Sequence, residues 1–377
     1  MDDSDPDLLP EGLEDRLPAE AAAEARLVRA ASDVMHGHGY DLVVPPLIEF
    51  ERGLAHRMAG LRTRRMVRFV DPVSLRTLAL RSDITPQIGR IAETRLAGAA
   101  RPLRLCYAGQ VATIRGQSLD PARERLQLGA ELIGSGSVAA AGEVVSLALD
   151  VLDAAGARGL AVDFTMPDLV DTLAAGPMSL SAAQAEAVRR ALDAKDAGRL
   201  VTVGGEAYLP LLYATGGFEQ AVGRLAAIDA GGALASRIRG LREIAGQVGG
   251  RARLTLDPTE RHGFEYQSWF GFTLYADGLR DAIGRGGTYR IARSGGAAGE
   301  GEVATGFSLY PGELIALLGK SAAAGDRLFL PLGHDSQVAA RLRAIGWRTV
   351  AALAPEDDAG ALGCTHRLEE SETVRLA

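Results

Sequence analysis

The segment from Leu126 to Ile133 constrains the fold of this chain most strongly, because two kinds of residue alternate along it. Gln127, Gly129 and Glu131 occupy every second position, with apolar residues between them. Successive side chains of a β-strand point to opposite faces of the sheet, so one face carries only apolar groups and the other carries an amide and a carboxylate. The pattern predicts a strand whose polar face is either solvated or the floor of a binding site.

Helices and further strands are expected on both sides of this segment. Apolar residues recur at helical spacing over residues 19–36, and Ser137 can cap a second helix. Short runs of β-branched or large apolar residues predict strands at residues 40–44, 66–70, 76–80, 103–107, 160–164, 253–256 and 264–275.

Composition divides the chain into three parts. Residues 166–251 are rich in alanine and contain few strand signals, which predicts a helical insertion. The strand-rich residues 1–165 and 252–322 on either side are expected to form one discontinuous core. A strand, a helix and a strand are predicted within residues 323–377, which we expect to form a small, truncated C-terminal α/β unit.

Composition and charge also limit the function. With 47% hydrophobic residues among 377, the chain can bury a core and is not disordered. Its net charge of −7 argues against binding mainly to nucleic-acid phosphates. Cys106 and Cys364 are far apart in sequence, which predicts neither a disulfide framework nor a zinc site. The acidic start and the absence of about 18 consecutive apolar residues predict a cytoplasmic protein without membrane spans.

Five motifs occur in a particular order along the chain. They are Gly39-Tyr40 with Pro46 and Glu49, then residues 80–86 (LRSDITP), Arg123 with Gln127 and Glu131, residues 263–266 (GFEY) and residues 286–289 (GGTY). In this order they resemble the catalytic core of histidyl-tRNA synthetase, a class II aminoacyl-tRNA synthetase. The resemblance implies an α+β fold in which helices flank an antiparallel sheet, and a homodimer formed through the first motif.

The same resemblance implies a pocket for histidine. Its residues here are Asp83, Thr85, Arg123, Gln127, Glu131, Tyr266 and Tyr289. Asp83 and Thr85 would hold the α-ammonium group, and Arg123 and Arg290 are both candidates for the carboxylate. Carboxylates, an amide and phenols suit a small zwitterion with an imidazole side chain. The alternative is that these residues are remnants of an ancestral site whose hydrogen bonds are satisfied by one another or by water.

Three departures from the resemblance affect the site for ATP. Thr113 and Glu313 occupy positions where the family has phosphate-binding arginines, and His262 occupies that of a third arginine. Arginine forms strong paired contacts with phosphate, whereas a carboxylate repels it. We therefore expect no adenylation of histidine, no catalytic residues, and no cofactor or metal. The tail is also too short for the anticodon-binding domain of a synthetase, so tRNA is not an expected partner.

A chain that keeps the amino-acid pocket and loses the ATP arginines resembles the regulatory subunits of ATP phosphoribosyltransferase, the first enzyme of histidine biosynthesis. That resemblance implies a non-catalytic subunit that joins a short catalytic subunit in a larger hetero-oligomer, activates it, and makes it sensitive to feedback inhibition by L-histidine. No phosphoribosyl-pyrophosphate loop is evident in the sequence, as expected if the transferase is a separate protein. The alternatives are a divergent histidyl-tRNA synthetase, a stand-alone synthetase paralogue that modifies another molecule, and a scaffold with an empty pocket.

Overall fold

The computed structural model describes residues 8–55, 66–116, 121–261, 267–292, 301–321 and 325–376. The chain divides into two compact units, residues 1–317 and residues 318–377. Within the described residues, no helix has both the length and the apolar character required to cross a bilayer.

A nine-stranded sheet forms the centre of the larger unit. Its strands in chain order are β1 (Asp41–Leu42), β5 (Leu103–Ala112), β6 (Glu124–Ile133), β7 (Ala161–Thr165), β8 (Gly216–Gly217), β9 (Arg253–Leu256), β10 (Gln267–Tyr275), β11 (Gly284–Ala292) and β12 (Gly301–Leu309). Their spatial order is β1-β5-β6-β12-β11-β10-β7-β9-β8. All neighbours are antiparallel except the pairs β1–β5 and β7–β9. The predicted antiparallel sheet flanked by helices is confirmed, with a parallel pair toward each end.

Helices pack on the sheet and make up most of the segment between β7 and β9, which also contains β8 and the 3-10 helices Glu206–Tyr213 and Ala230–Gly232. In chain order the helices of the larger unit are α1 (Pro18–Gly37), α2 (Glu51–Ala55), α3 (Thr85–Thr94), α4 (Val138–Ala154), α5 (Leu169–Ala174), α6 (Ala182–Asp193), α7 (Ala197–Thr202), α8 (Phe218–Ile228), α9 (Ala235–Val248) and α10 (Gly312–Ser321), the last of which continues into the smaller unit. Helix α4 packs against α1, α9 and the strands β6 and β12. Its N-terminus is capped as expected, since the Ser137 hydroxyl accepts a 3.1 Å hydrogen bond from the amide of Ala140.

A second, three-stranded sheet lies between α1 and α3 in the sequence. It consists of β2 (Ile48–Phe50), β4 (Thr77–Leu80) and β3 (Arg68–Val70), with β4 in the centre. Only Asp41–Leu42 of the strand predicted at residues 40–44 forms a strand, and it is an edge strand that pairs with β5. The two prolines that follow cannot donate ladder hydrogen bonds, which ends the pairing.

Among its described residues after α10, the smaller unit contains a four-stranded sheet and a further helix. Its elements are β13 (Arg327–Leu330), α11 (Ser336–Ala344), β14 (Arg348–Ala351), β15 (His366–Glu369) and β16 (Glu372–Arg375). The strands lie in the order β14-β13-β15-β16. The predicted strand, helix and strand correspond to the first three elements, and the terminal hairpin of β15 and β16 was not predicted.

Candidate functional site

The polar face of β6 is buried. Gln127 is 0% exposed and Glu131 is 1% exposed, so neither side chain is solvated. Strands β5 and β12 flank β6, and helix α3 with the loop before it packs onto the same region through Ile84 and Ile88. The sequence left open whether this polar face is solvated or forms the floor of a site. The structure shows that it forms the floor of a buried polar site.

Strand register brings the remaining polar groups to this floor. Tyr107 on β5 and Ser308 on β12 both lie opposite Gly129 of β6. Residues directly opposite one another in antiparallel strands point to the same face, so both hydroxyl groups lie beside Gln127 and Glu131. A Cβ at position 129 would overlap the phenol of Tyr107, which is why this position requires glycine.

Gln127 links the loop before α3 to the sheet. Its amide nitrogen donates to Oδ1 of Asp83 at 2.8 Å and to the Ser308 hydroxyl at 2.9 Å. Its amide oxygen accepts a 2.9 Å hydrogen bond from the backbone amide of Ile84. The Asp83 carboxylate also accepts from the backbone amide of Thr85 at 2.9 Å, at the start of α3. These bonds fix the orientation of the amide and the position of the carboxylate.

Glu131 occupies the other half of the floor. Its Oε2 accepts a 2.7 Å hydrogen bond from the phenol of Tyr289, and its Oε1 accepts a 3.4 Å hydrogen bond from Tyr107. The Tyr107 hydroxyl also lies 3.1 Å from the Thr85 hydroxyl and 2.9 Å from that of Ser308. Seven side chains thus form one connected network, named the polar cluster below: Asp83, Thr85, Tyr107, Gln127, Glu131, Tyr289 and Ser308.

Burial makes the two carboxyl groups of the polar cluster harder to ionise. Loss of solvation raises the pKa of Glu131 from its usual 4.5 to about 8, and the nearby charge of Asp83 adds to the increase. Loss of solvation likewise raises the pKa of Asp83. In the described part of the chain, neither group forms an ion pair with Arg or Lys. Two buried acids without a cation favour a ligand that carries positive charge.

Three other predicted residues lie outside the polar cluster. The Arg123 guanidinium donates to the backbone oxygens of Glu11 and Thr113, each at 3.4 Å. The Thr113 hydroxyl donates to the backbone oxygen of residue 115 at 3.1 Å. Glu313 accepts a 2.9 Å hydrogen bond from the amide of Arg280 and lies 3.5 Å from its Nε. Thr113 and Glu313 are therefore engaged by neighbouring loop groups.

The remaining predicted site residues, His262 and Tyr266, lie outside the described residues. Sequence reasoning missed Tyr107 and Ser308, although both belong to the polar cluster. Tyr107 ends a predicted strand, but that pattern does not reveal that both Tyr107 and Ser308 lie opposite Gly129. That information resides in the strand register, which one sequence does not specify.

The loop that carries Asp83 also contacts the first motif. Arg81 is 6% exposed, and its guanidinium donates to the backbone oxygen of Pro45 at 2.8 Å. The Gln87 amide donates to the backbone oxygen of Pro46 at 2.7 Å and to Glu49 at 2.9 Å. Residues 81–87 thus join the polar cluster to residues 45–49.

Comparison with known proteins places this geometry in context. A model of the histidyl-tRNA synthetase family matches residues 12–314. ATP phosphoribosyltransferase regulatory subunits from Rhodospirillum centenum and Paramagnetospirillum magneticum are each 40% identical to the chain. The alignments cover 95% and 98% of this chain, and 94% and 98% of the two relatives.

Solved structures share the fold. An ATP phosphoribosyltransferase regulatory subunit/histidyl-tRNA synthetase from Bacillus halodurans superposes with a TM-score of 0.78 at 23% identity, covering 96% of this chain and 97% of that one. Histidyl-tRNA synthetase from a Nostoc species gives a TM-score of 0.77 at 15% identity, covering 96% and 90%. At these identities the likeness establishes the class II synthetase fold.

Proposed function

This chain belongs to the family of ATP phosphoribosyltransferase regulatory subunits, which is built on the histidyl-tRNA synthetase fold, and we propose that it is the histidine-sensing, non-catalytic subunit of that enzyme. Its role lies in the first step of histidine biosynthesis. In this proposal it joins a short catalytic phosphoribosyltransferase subunit in the cytoplasm, activates it, and inhibits it when L-histidine binds.

The polar cluster is the observation that carries the proposal. Asp83 accepts bonds from Gln127 and from a backbone amide, and it forms no ion pair with any residue that the structure describes, so an α-ammonium group is a suitable partner. Glu131 accepts bonds from two phenols and suits an imidazole N–H donor. Histidine supplies both donors on one small molecule. Both carboxyl groups are buried, which raises their pKa values, and a cationic ligand would offset the cost of ionising them.

The absence of synthetase activity is part of the proposal. Transfer of an adenylyl group requires cationic groups on the phosphates of ATP. Thr113 is uncharged, and Glu313 presents a carboxylate that an amide and a guanidinium of Arg280 already engage. These features disfavour ATP binding and therefore disfavour the alternative of a divergent histidyl-tRNA synthetase.

Homodimer formation within the hetero-oligomer is also proposed. Apolar side chains are exposed along the first motif and its neighbouring sheet, including Val44 at 80%, Ile48 at 42% and Val70 at 62%. An exposed apolar patch of this kind is typical of an interface. Arg81 and Gln87 donate hydrogen bonds to backbone oxygens of the first motif. These bonds hold the patch in a defined position relative to the polar cluster.

Reconstitution with the short catalytic subunit tests the function. We expect the mixture to turn over faster than the catalytic subunit alone, and we expect L-histidine to inhibit it. The purified chain should bind L-histidine by calorimetry and show no histidine-dependent exchange of pyrophosphate into ATP. A chain that catalyses this exchange and does not alter the transferase would be a synthetase.

A further inference from the structure

Arg285 of β11 lies beside the polar cluster, on the same face of the sheet. It is the direct partner of Ser308 in the ladder between β11 and β12. Opposite residues of antiparallel strands point to the same face, and their Cβ atoms are about 5 Å apart. Because Ser308 belongs to the polar cluster, the side chain of Arg285 starts one strand away from that cluster.

The strand register extends this row of polar residues beyond Arg285. Arg285 lies opposite Thr273 of β10, and Thr273 lies opposite Asp163 of β7. The Asp163 carboxylate accepts a hydrogen bond from the hydroxyl of Thr255 on the next strand, β9. Arg285 is half-buried in this row, and its positive charge lowers the pKa of Tyr275, whereas burial raises it. The guanidinium therefore lies among polar groups on the side of the sheet that carries the polar cluster.

The two arginines that the sequence suggested for the ligand carboxylate lie elsewhere. The Arg123 guanidinium is engaged by two backbone oxygens. Arg290 directly follows Tyr289, whose phenol belongs to the polar cluster, so the side chain of Arg290 points to the opposite face of the sheet. Arg290 is exposed there and donates to the backbone oxygen of Gly301 at 3.1 Å.

Arg125 is a further arginine on the face of the polar cluster, because it precedes Gly129 on β6 by four residues. Its Cζ atom lies 5.7 Å from the centre of the Tyr310 ring. Four residues of a strand span about 13–14 Å, and Gly129 is the partner of Ser308. Arg285 lies in the same cross-strand row as Ser308, so its side chain starts much closer to the polar cluster than that of Arg125.

Histidine carries its carboxylate on the same carbon atom as its ammonium group, which limits where the carboxylate can lie. The Gln127 amide nitrogen donates to Asp83 at 2.8 Å and to Ser308 at 2.9 Å, so these two side chains are neighbours. With the ammonium group at Asp83, the adjacent carboxylate can face Ser308. It is then within reach of a long side chain that starts opposite Ser308.

We propose that Arg285 is a specificity-determining residue of the ligand pocket and that its guanidinium binds the α-carboxylate of the amino-acid ligand. This inference rests on the proposed function, because it names the group that recognises the carboxylate of histidine in the same pocket. A guanidinium can donate two parallel hydrogen bonds to a carboxylate, which matches both charge and shape. A ligand without the carboxylate leaves this cation unpaired and is rejected.

Calorimetry with a ligand that lacks only the negative charge tests the inference. The full-length chain and its Arg285→Met variant are titrated with L-histidine and with L-histidinamide, in which an uncharged amide replaces the carboxylate. Arg290→Met makes the same chemical change on the opposite face of the sheet and is the matched control. We expect the wild type and the control to prefer histidine to the amide by about tenfold or more.

The expected result for Arg285→Met is specific to one ligand. We expect about a ten- to hundredfold loss of affinity for histidine and little change for the amide, so that the preference disappears. A change that merely disturbed the pocket would weaken both ligands to the same extent. Equal losses for the two ligands would therefore overturn the inference.

Other outcomes separate this inference from the proposed function. If the wild type binds no histidine, the proposed function is wrong and the inference falls with it. If the wild type binds histidine and a folded Arg285→Met variant keeps the full preference for it, the inference alone is overturned. A loss specific to histidine in Arg125→Met, with none in Arg285→Met, would assign the carboxylate to the other arginine.

Two further measurements do not require Arg285→Met to fold. Arg285→Lys keeps the positive charge but cannot form the paired contact, so we expect a smaller loss for histidine and little change for the amide. An Arg285→Lys variant that matches the wild type with both ligands would contradict the inference. A wild type that binds the amide as tightly as histidine would contradict it whatever the variants do.

Discussion

The phenol of Tyr289 on β11 donates a 2.7 Å hydrogen bond to Oε2 of Glu131 on β6, although strand β12 runs between them. Gly306 is the residue of β12 that lies opposite Glu131. A Cβ at this position would overlap the Glu131 carboxylate and approach the backbone oxygen of Ala130. The missing side chain at residue 306 therefore allows the carboxylate to fold over β12 and meet the phenol.

We predict that Gly306→Ala weakens histidine binding at least tenfold and lowers the free energy of unfolding by about 1–3 kcal/mol, because the added methyl displaces Glu131 and strains the strand. Calorimetry and chemical denaturation provide the two measurements. Gly223→Ala is the control, since nothing lies within 4 Å of a Cβ at that helical position. A Gly306→Ala protein with unchanged affinity would show that the position of the carboxylate is unimportant for binding.

The fold was largely predictable from sequence patterns, whereas the site was predictable only in part. Alternation along β6 identified Gln127 and Glu131, and the motif order supplied Asp83, Thr85 and Tyr289 together with the fold class. The structure connects all five of these residues in one network.

The groups that were missed share one physical cause. Tyr107 and Ser308 reach the polar cluster through cross-strand register, and Gly306 contributes through the side chain that it lacks. Register depends on contacts between distant segments, so a local pattern cannot specify it. Arg123 illustrates the converse, because the resemblance implied a place in the pocket, whereas its guanidinium donates to the backbone oxygens of Glu11 and Thr113.

We predict that the ligand-free protein loses stability as the pH rises from about 4.5 to about 8. In this range the Glu131 carboxyl keeps its proton in the folded state, where its pKa is about 8, and releases it in the unfolded state, where its pKa is about 4.5. The unfolded state then binds fewer protons, so the free energy of unfolding falls, by up to about 1.4 kcal/mol per pH unit for one group. Asp83, whose pKa is also raised, contributes with the same sign.

Chemical denaturation at several pH values checks this dependence, with Glu131→Gln as the comparison. The amide cannot titrate, so the variant should show a flatter profile and should be the more stable protein at pH 8. Identical profiles for the two proteins would mean that Glu131 ionises normally in the folded state.

We predict that the purified chain does not exchange pyrophosphate into ATP in the presence of histidine, because the resemblance implies that Thr113 and Glu313 stand where the family has the arginines that hold a triphosphate. Restoring arginine at both positions is not expected to suffice, since His262 also replaces an arginine of the family. Isotope exchange with protein free of contaminating synthetase is the measurement. Robust exchange by the wild type would contradict the loss of synthetase activity.

We predict a homodimer that depends on the first motif. Val44 is 80% exposed, and Val44→Asp should convert the dimer to a monomer by placing a charge in an apolar interface. Val201→Asp, on the exposed side of α7 at 47%, is the control and should leave the dimer intact. Sedimentation at micromolar concentration distinguishes the two states, and a monomeric wild type would rule out this interface.

We predict that the polar cluster senses histidine separately from activation, and paired assays of the reconstituted complex test this prediction most directly. The histidine inhibition constant and the uninhibited turnover are measured for folded Asp83→Ala and Glu131→Ala variants. Each change removes a charge-assisted hydrogen bond worth about 1.5–3 kcal/mol. We expect the inhibition constant to rise ten- to hundredfold while activation in histidine-free buffer is retained. An unchanged inhibition constant in both variants would show that histidine acts elsewhere. If the variants lose activation of the catalytic subunit as well as inhibition by histidine, sensing is not separate from activation.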